Sequence, residues 1–305
     1  MKFFVTGAGG FIGSHVIRSL LGSGHEVAFL RRSGSNSSRL GGLNLTPIDV
    51  LDQLSCFSQT EQRTLSTFAP DAVIHLGWIG VGNFERNSLS QLENVEMSVN
   101  ILRASAEAGA RHFVGFGSQA EYGPCEGAID EKQPLNPTTV YGASKASVGL
   151  ITGVLAEQLG LQFSWIRVFS TYGPGDEPYW MIQDVAKKLL DGEIPQLTLG
   201  TQQWDYLFVE DAARAITKVA ESSTGLGQIN LGSGRAPTIR EIVETLRDVA
   251  APQLTLSFGA VPFRDDQVMH LEANISKLQK ETGWVPEVSL FEGLTSTVQY
   301  LRESR

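Results

Sequence analysis

Hydrophobic and polar positions follow two periods along the first 170 residues. Residues 2–6 form a short apolar run of strand type. Residues 11–23 place Ile12, Val16, Leu20 and Leu21 at helical spacing. The alternation continues with strands predicted at 25–30, 45–48, 71–76, 112–116 and 162–168. Helices are predicted at 54–68, 91–108 and 138–159, the last two stopped by Gly109 and Gly160. Strands alternating with helices of this length predict βαβ units, a parallel sheet and right-handed crossovers. After residue 170 the pattern loosens. A Gly/Pro cluster, YGPGDEP at 172–178, precedes helices predicted at 178–191, 210–222, 238–250, 275–283 and 290–302. The Ser/Gly-rich stretch 33–42 reads as a loose loop. No linker separates the halves, so 171–305 is expected to pack against 1–170 as a smaller, interleaved lobe.

Composition narrows the function classes. A chain of 305 residues can bury a core without disulfide or metal staples. With 42% hydrophobic and 19% charged residues, global disorder is excluded. A net charge of −9 argues against a nucleic-acid partner. No apolar run approaches the roughly 18 residues of a membrane span, and the N-terminus lacks a secretory pattern. Cys56 and Cys125 read as reduced thiols, so the expected location is cytoplasmic. No His/Cys cluster has metal spacing. His75 reads as a satisfied core histidine, Cys125 as a small buried residue, and Trp165, Trp180 and Trp284 as core. Glycine stands out: 32 residues, against a usual share of about 7%. Either many turns need positive φ or backbone approaches a ligand closely.

The strand at 2–6 runs directly into Gly7-Ala8-Gly9-Gly10-Phe11-Ile12-Gly13 and then a helix. Glycines at 7, 10 and 13 permit a tight turn, a close approach to a pyrophosphate and helix-on-strand packing. The phosphates then lie at a helix N-terminus, where free N–H groups and the dipole favour anions. This context predicts a dinucleotide site in a Rossmann-type doubly wound α/β sheet. Arg31 and Arg32 end the second strand, where a carboxylate would select the unphosphorylated cofactor. Their charge and fork of donors suit a 2′-phosphate, so NADP(H) is preferred, with NAD(H) as the other possibility.

Tyr141 and Lys145 sit four residues apart on one helical face. An ammonium near a phenol favours the phenolate, and a phenol so tuned can exchange a proton with an alcohol or carbonyl.

The combination of TGAGGFIG at 6–13, FGSQAEYG at 116–123 and YGASK at 141–145 resembles the extended short-chain dehydrogenases/reductases, the NAD-dependent epimerase/dehydratase family. The resemblance spans essentially the whole chain. It extends through DAVIHLG at 71–77, IDV at 48–50, RVFSTYGPG at 167–175, DYLFVEDAARAI at 205–216 and NISKLQKETGWVP at 274–286. It implies a smaller C-terminal α/β substrate-binding lobe and a catalytic triad. In that triad Tyr141 transfers the proton, Lys145 binds the nicotinamide ribose, and Ser118 holds the reacting oxygen. It further implies cofactor contacts from Gly7, Gly10, Phe11, Ile12, Gly13, Asp49, Val50, Leu76, Gly77, Trp78, Asn94 and Val168. Substrate contacts are implied for Ser118, Gln119, Ser170, Trp204 and Arg264. The long helices at 91–108 and 138–159 correspond to those that pair subunits in the family, which implies a homodimer through a four-helix bundle.

Members that dehydrate nucleotide sugars carry Asp-Glu directly after the Ser/Thr. Here those positions are Gln119 and Ala120, which cannot serve as acid and base. Glu121 comes one residue late and is expected to point elsewhere, so dehydration is rejected. The chain most resembles the GDP-4-keto-6-deoxymannose-type reductases, which implies reduction of the C4 ketone of a nucleotide-diphosphate 4-keto-6-deoxyhexose. A 4-epimerase with retained NAD is the alternative, and a non-catalytic dinucleotide-binding regulator ranks last because the Ser/Tyr/Lys set is intact. Trp204 stands where the family usually has a diphosphate-binding Arg, leaving Arg264 for that role, and Ser170 stands where Asn is common.

Overall fold

The computed structural model describes residues 1–32, 38–50, 57–265 and 267–305. Strands in chain order are β1 (Lys2–Thr6), β2 (Glu26–Arg32), β3 (Thr46–Val50), β4 (Ala72–His75), β5 (His112–Ser118), β6 (Ala128–Ile129), β7 (Gln162–Val168), β8 (Ser170–Tyr172), β9 (Gln203–Trp204), β10 (Tyr206–Phe208), β11 (Gly227–Leu231) and β12 (His270–Ala273). Helices are α1 (Phe11–Gly22), α2 (Gln59–Phe68), α3 (Glu93–Glu107), α4 (Val140–Gln158), α5 (Met181–Leu190), α6 (Val209–Glu221), α7 (Ile239–Ala250), α8 (Ser276–Thr282) and α9 (Leu290–Glu303).

The main sheet is parallel throughout, in the order β11-β7-β5-β4-β1-β2-β3. Alternate strand residues point to opposite faces. Phe3, Val5, Ile74 and Val114 pack with α1 and α6 on one side. Phe4, Val73 and Phe113 pack with α2, α3 and α4 on the other. Both faces are covered, which is why these strands read as continuous apolar runs. The chain reverses direction of winding between β1 and β4, and a crevice at the carboxyl ends of such strands is where this architecture binds ligands.

β11 supplies the sheet edge beside β7, and α6 packs with α1 in the first core, although both follow residue 170. The remaining lobe has its own core, built from Ile182, Val185 and Leu189 of α5, Ile242 and Leu246 of α7, and Leu294 and Val298 of α9.

Several predicted edges move by one to three residues. α2 is described from Gln59, capped by Ser58, whose hydroxyl accepts from the Glu61 N–H while Glu61 returns a bond to the Ser58 N–H. This S-x-x-E capping box sets the start. Residues 51–56, including the predicted first turn and Cys56, lie outside the described residues, as do 33–37 of the Ser/Gly-rich loop. Trp165 and Trp284 are core residues, but Trp180 is only half-buried, against Tyr179. Cys125 is half-buried. Among the described residues no helix is long and apolar enough to cross a membrane.

His75 is fully enclosed between two hydroxyls, Thr6 Oγ1 at 2.7 Å and Ser98 Oγ at 2.9 Å from its ring nitrogens. Burial pulls its pKa from 6.5 down to about 3. The unfolded chain therefore binds a proton that the folded chain refuses between about 3 and 6.5. Stability should rise with pH through that window and be lost as pH falls through it. His75→Gln is expected to flatten this slope when urea unfolding free energy is measured against pH.

Candidate active site

Gly7 has φ +70°, and a Cβ there would lie 2.7 Å from the Gly77 nitrogen. A Cβ on Gly13 would lie 2.1 Å from the Gly7 carbonyl oxygen. The turn after β1 is thus pressed against the turn after β4 and against α1, with no room for side chains. α1 begins behind Gly10 with no side-chain cap and no acidic residue in its first turn. Its first N–H groups face the crevice with the dipole's positive end. Phe11 and Ile12 are half-buried beside them.

The turn after β4 is braced from behind. The Gly77 N–H donates to Thr6 Oγ1 at 3.0 Å, and the Leu76 N–H to the Thr6 carbonyl at 3.2 Å. Asn94 is wholly buried. Its side chain accepts from the Ile79 N–H at 2.7 Å and donates to the Ile79 carbonyl at 3.0 Å. Its polar atoms are therefore directed at the loop backbone, so it shapes the cofactor side of the site through Ile79. Gln91 is equally buried. It donates to the Gly80 carbonyl at 2.6 Å and accepts from Trp78 Nε1 at 2.9 Å, which fixes the indole.

That indole lies in the centre of the predicted triad. The Lys145 ammonium sits 3.6 Å from the centroid of the Trp78 ring and donates to the Phe116 carbonyl at 2.7 Å. Trp78 meets the Tyr141 ring edge-on at 5.9 Å. Ser118 ends β5 near the phenol, its hydroxyl accepting from the Ala120 N–H at 3.2 Å. α4 brings Tyr141 here because Thr139 caps its first turn. Gly142 also lets that turn close onto the Ala120 carbonyl, which a Cβ would approach to 2.4 Å. Ser118, Tyr141 and Lys145 are thus gathered at one corner.

The charges differ from the expectation drawn from spacing alone. Burial holds the Tyr141 phenol above its ordinary pKa. The nearby Ser118 hydroxyl and the Arg86 charge oppose this, and Glu121 adds to it. Burial also pulls Lys145 down to about 7, opposed by Glu121. A buried ammonium gives up much of its own charge before it can stabilise a neighbouring phenolate.

Glu121 does point away from the reacting corner. Its carboxylate accepts from the Ser118 N–H at 2.9 Å, Trp165 Nε1 at 3.1 Å and Arg167 Nε at 2.8 Å. Arg167 continues to the Tyr122 hydroxyl at 2.9 Å, which donates to Asn230 at 2.7 Å. The S-x-x-E spacing at 118–121 signals this inward bond.

The other predicted residues are dispersed. Val168 ends β7. Ser170 and Trp204 meet directly, the indole N–H donating to the Ser170 hydroxyl at 2.8 Å. Gln119 is half-buried in the turn after β5, and Arg264 lies exposed in the loop before β12. Arg31 holds Asp49 with two bonds of 2.5 and 2.8 Å at the open end of β2 and β3. Nothing is described of the Arg32 and Val50 side chains. Among the described residues no three His, Cys, Asp or Glu side chains form a metal site.

A model of the NAD dependent epimerase/dehydratase family matches residues 3–232. The chain belongs to that family. It is 28% identical to the dTDP-glucose 4,6-dehydratase of Streptomyces griseus, over 99% of this chain and 94% of that one. To the UDP-glucose 4-epimerase of Mycolicibacterium smegmatis it is 27% identical over 99% of both. The solved UDP-glucose 4-epimerase of Thermus thermophilus, a complex with NAD, covers 100% of both chains with TM-score 0.86 and 25% identity. These relatives are dehydratases and epimerases, so the family is established, whereas the narrower likeness to 4-ketoreductases is not what they share.

The NAD of this family fits the residues present. The glycine cradle admits backbone-close phosphates, α1 offers uncapped N–H groups, and the Thr6–Gly77 brace holds the facing turn open to the crevice. Gly13→Ala drives a methyl into the Gly7 carbonyl and should abolish NAD binding in a calorimetric titration while the lobe core remains folded. Asp49→Asn releases the Arg31 guanidinium and is expected to raise affinity for NADPH relative to NADH by about tenfold, the scale of a charge-assisted bond. An unchanged ratio in a fluorescence titration would show that Arg31 does not read the cofactor.

Proposed function

We propose that this protein reduces the C4 ketone of a nucleotide-diphosphate 4-keto-6-deoxyhexose at the corner formed by Ser118, Tyr141 and Lys145. The observation that carries the reading is the convergence of Ser118, at the carboxyl end of β5, on Tyr141, which stands one helical turn from Lys145 on α4 with the Trp78 indole against both the phenol ring and the ammonium. A bound nicotinamide supplies the hydride. Ser118 holds the sugar oxygen, Tyr141 gives its proton to the alkoxide formed at C4, and Lys145 takes a ribose hydroxyl with the donor capacity left beyond Phe116. Gln119 lines the sugar. The Trp204–Ser170 pair forms a wall for sugar or base, and Arg264 reaches the diphosphate. Dehydration has no acid–base pair here: Gln119 and Ala120 lack carboxyls, and Glu121 is sealed into its ion pair with Arg167.

Trp78 supports reduction over epimerisation. An epimerase must present both faces of a ketosugar to one hydride position, and an indole fixed against Tyr141 and Lys145 narrows the space for that turn. Two observations favour the second reading, a 4-epimerase with retained NAD. Arg31 is neutralised by Asp49, which removes charge that a 2′-phosphate would use, and epimerases are among the relatives. On either reading the subunits pair through α3 and α4, where Leu92, just before α3, and Leu150, Ile151 and Val154 of α4 are exposed. Leu150→Glu with Val154→Glu is expected to give a monomer in sedimentation.

Tyr141→Phe should lower turnover by about 10²–10⁴-fold, the contribution of a positioned proton donor, while leaving NAD(P)H binding intact. A panel of nucleotide 4-keto-6-deoxysugars with NADH and NADPH decides the reaction. Stoichiometric loss of nicotinamide absorbance with a 4-hydroxyl product by NMR is the reductase result. Interconversion of 4-epimers of a nucleotide sugar with no net absorbance change is the epimerase result.

A further inference from the structure

Arg86 belongs to none of the motifs above, yet it is built against Tyr141. Its carbonyl accepts the Tyr141 N–H at 2.8 Å, and the neighbouring Asn87 side chain accepts the Val140 N–H at 3.2 Å. The loop carrying both residues therefore grips the first turn of α4. The Arg86 side chain then folds over the phenol, its guanidinium carbon 4.9 Å from the ring centroid. Its Nε is buried with no hydrogen-bond partner, and among the described residues no carboxylate pairs with the group. A cation left unpaired in partly desolvated surroundings is costly unless something else uses its charge.

The other groups facing Tyr141 leave that role open. Lys145, on the same helix, is 5.9 Å from the ring and directs its donors at the Phe116 carbonyl and the Trp78 face. Glu121, from the turn after β5, carries the opposite charge and is paired to Arg167. Ser118 is neutral. His75, on β4 toward Lys145, is uncharged near neutral pH because of its burial. Arginine keeps its proton in any protein environment, whereas a buried lysine does not.

We propose that Arg86 is a positioning residue of the proton-transfer site, holding the plane of the Tyr141 ring and supplying the permanent positive charge beside its phenol. This rests on the reading of Tyr141 as the proton donor. A guanidinium over the ring both orients it and favours the phenolate. Once Tyr141 has given its proton to the sugar, that charge stabilises the oxyanion left behind.

The test titrates a fluorinated tyrosine placed at 141, whose phenol ionises nearer neutral pH, by fluorine NMR in the full-length protein. Arg86→Gln should raise its midpoint by about one pH unit, the lower end of what an opposite charge at this distance does. Arg86→Lys should restore at least half of the difference. Arg86→Met replaces Arg86→Gln if the latter does not fold. An unmoved midpoint in the uncharged variant overturns the proposal, as does an equal rise in Arg86→Lys, which would mark a role in packing alone. In the active enzyme, the pH at which turnover changes should move with the NMR midpoint. The titration needs no turnover. A normal NMR shift with full activity in Tyr141→Phe would therefore overturn the catalytic reading, and an inactive Tyr141→Phe with no NMR shift would overturn the role of Arg86.

Discussion

The Glu121 carboxylate has no contact with water, and its bonds hold the end of β5, where the corner proposed for proton transfer begins. It takes the N–H of Ser118, the indole of Trp165 and the guanidinium of Arg167, so the end of β5 is tied to the neighbouring strand β7. A buried ion pair of this kind is no large net source of stability, because desolvation offsets most of the attraction. What it supplies is placement. With the carboxylate removed, the buried Arg167 would lose its counter-charge, keeping only the Tyr122 hydroxyl, and the Ser118 N–H would be left without its partner. Ser118 would lose a constraint on the backbone that carries its hydroxyl.

A second network does the same for the cofactor side. Thr6, His75 and Ser98 form a hydroxyl–imidazole–hydroxyl chain across β1, β4 and α3. Thr6 also receives the Gly77 N–H. Gln91 and Asn94 then hold residues 78–80 from the start of α3. The two networks meet at Trp78, whose ring touches both Lys145 and Tyr141. The crevice between β1 and β4 and the acid–base corner beyond β5 are therefore held by separate buried polar systems joined by one indole. Each donor in them is directional, so small shifts in the strands are resisted where a purely apolar core would tolerate them.

Much of this was legible in the chain. The two hydrophobic periods mark the nine described helices and strands β1–β5 and β7, because strands buried on both faces and amphipathic helices leave distinct patterns, whereas the short strands β6, β8, β9, β10 and β12 and the edge strand β11 leave none. Glycines 7 and 13 mark the tight turn after β1, because only glycine can meet such backbone contacts. Edges were less legible, because the capping boxes that set them act over three residues and compete with the hydrophobic period. Arg31 and Asp49 were each assigned a ligand, but sheet pairing puts them opposite one another and they bind each other. Asn94 was assigned to the cofactor, and its buried amide is occupied by the Ile79 backbone.

The sequence by itself determined the doubly wound sheet and the glycine-lined turn after β1, and it marked the Ser118, Tyr141 and Lys145 set proposed for proton transfer. These depend on local periodicity and on residues close in the chain or in a shared motif. The tertiary structure alone decided the electrostatics of that set. Spacing on one helix predicted that Lys145 would depress the Tyr141 phenol. Folding instead buries both, and burial penalises the charged form of each. It also brings Arg86 from a distant loop over the ring and seals Glu121 into its ion pair with Arg167. Charge at a buried site depends on which groups meet after the chain has packed, and no period along the sequence encodes that meeting.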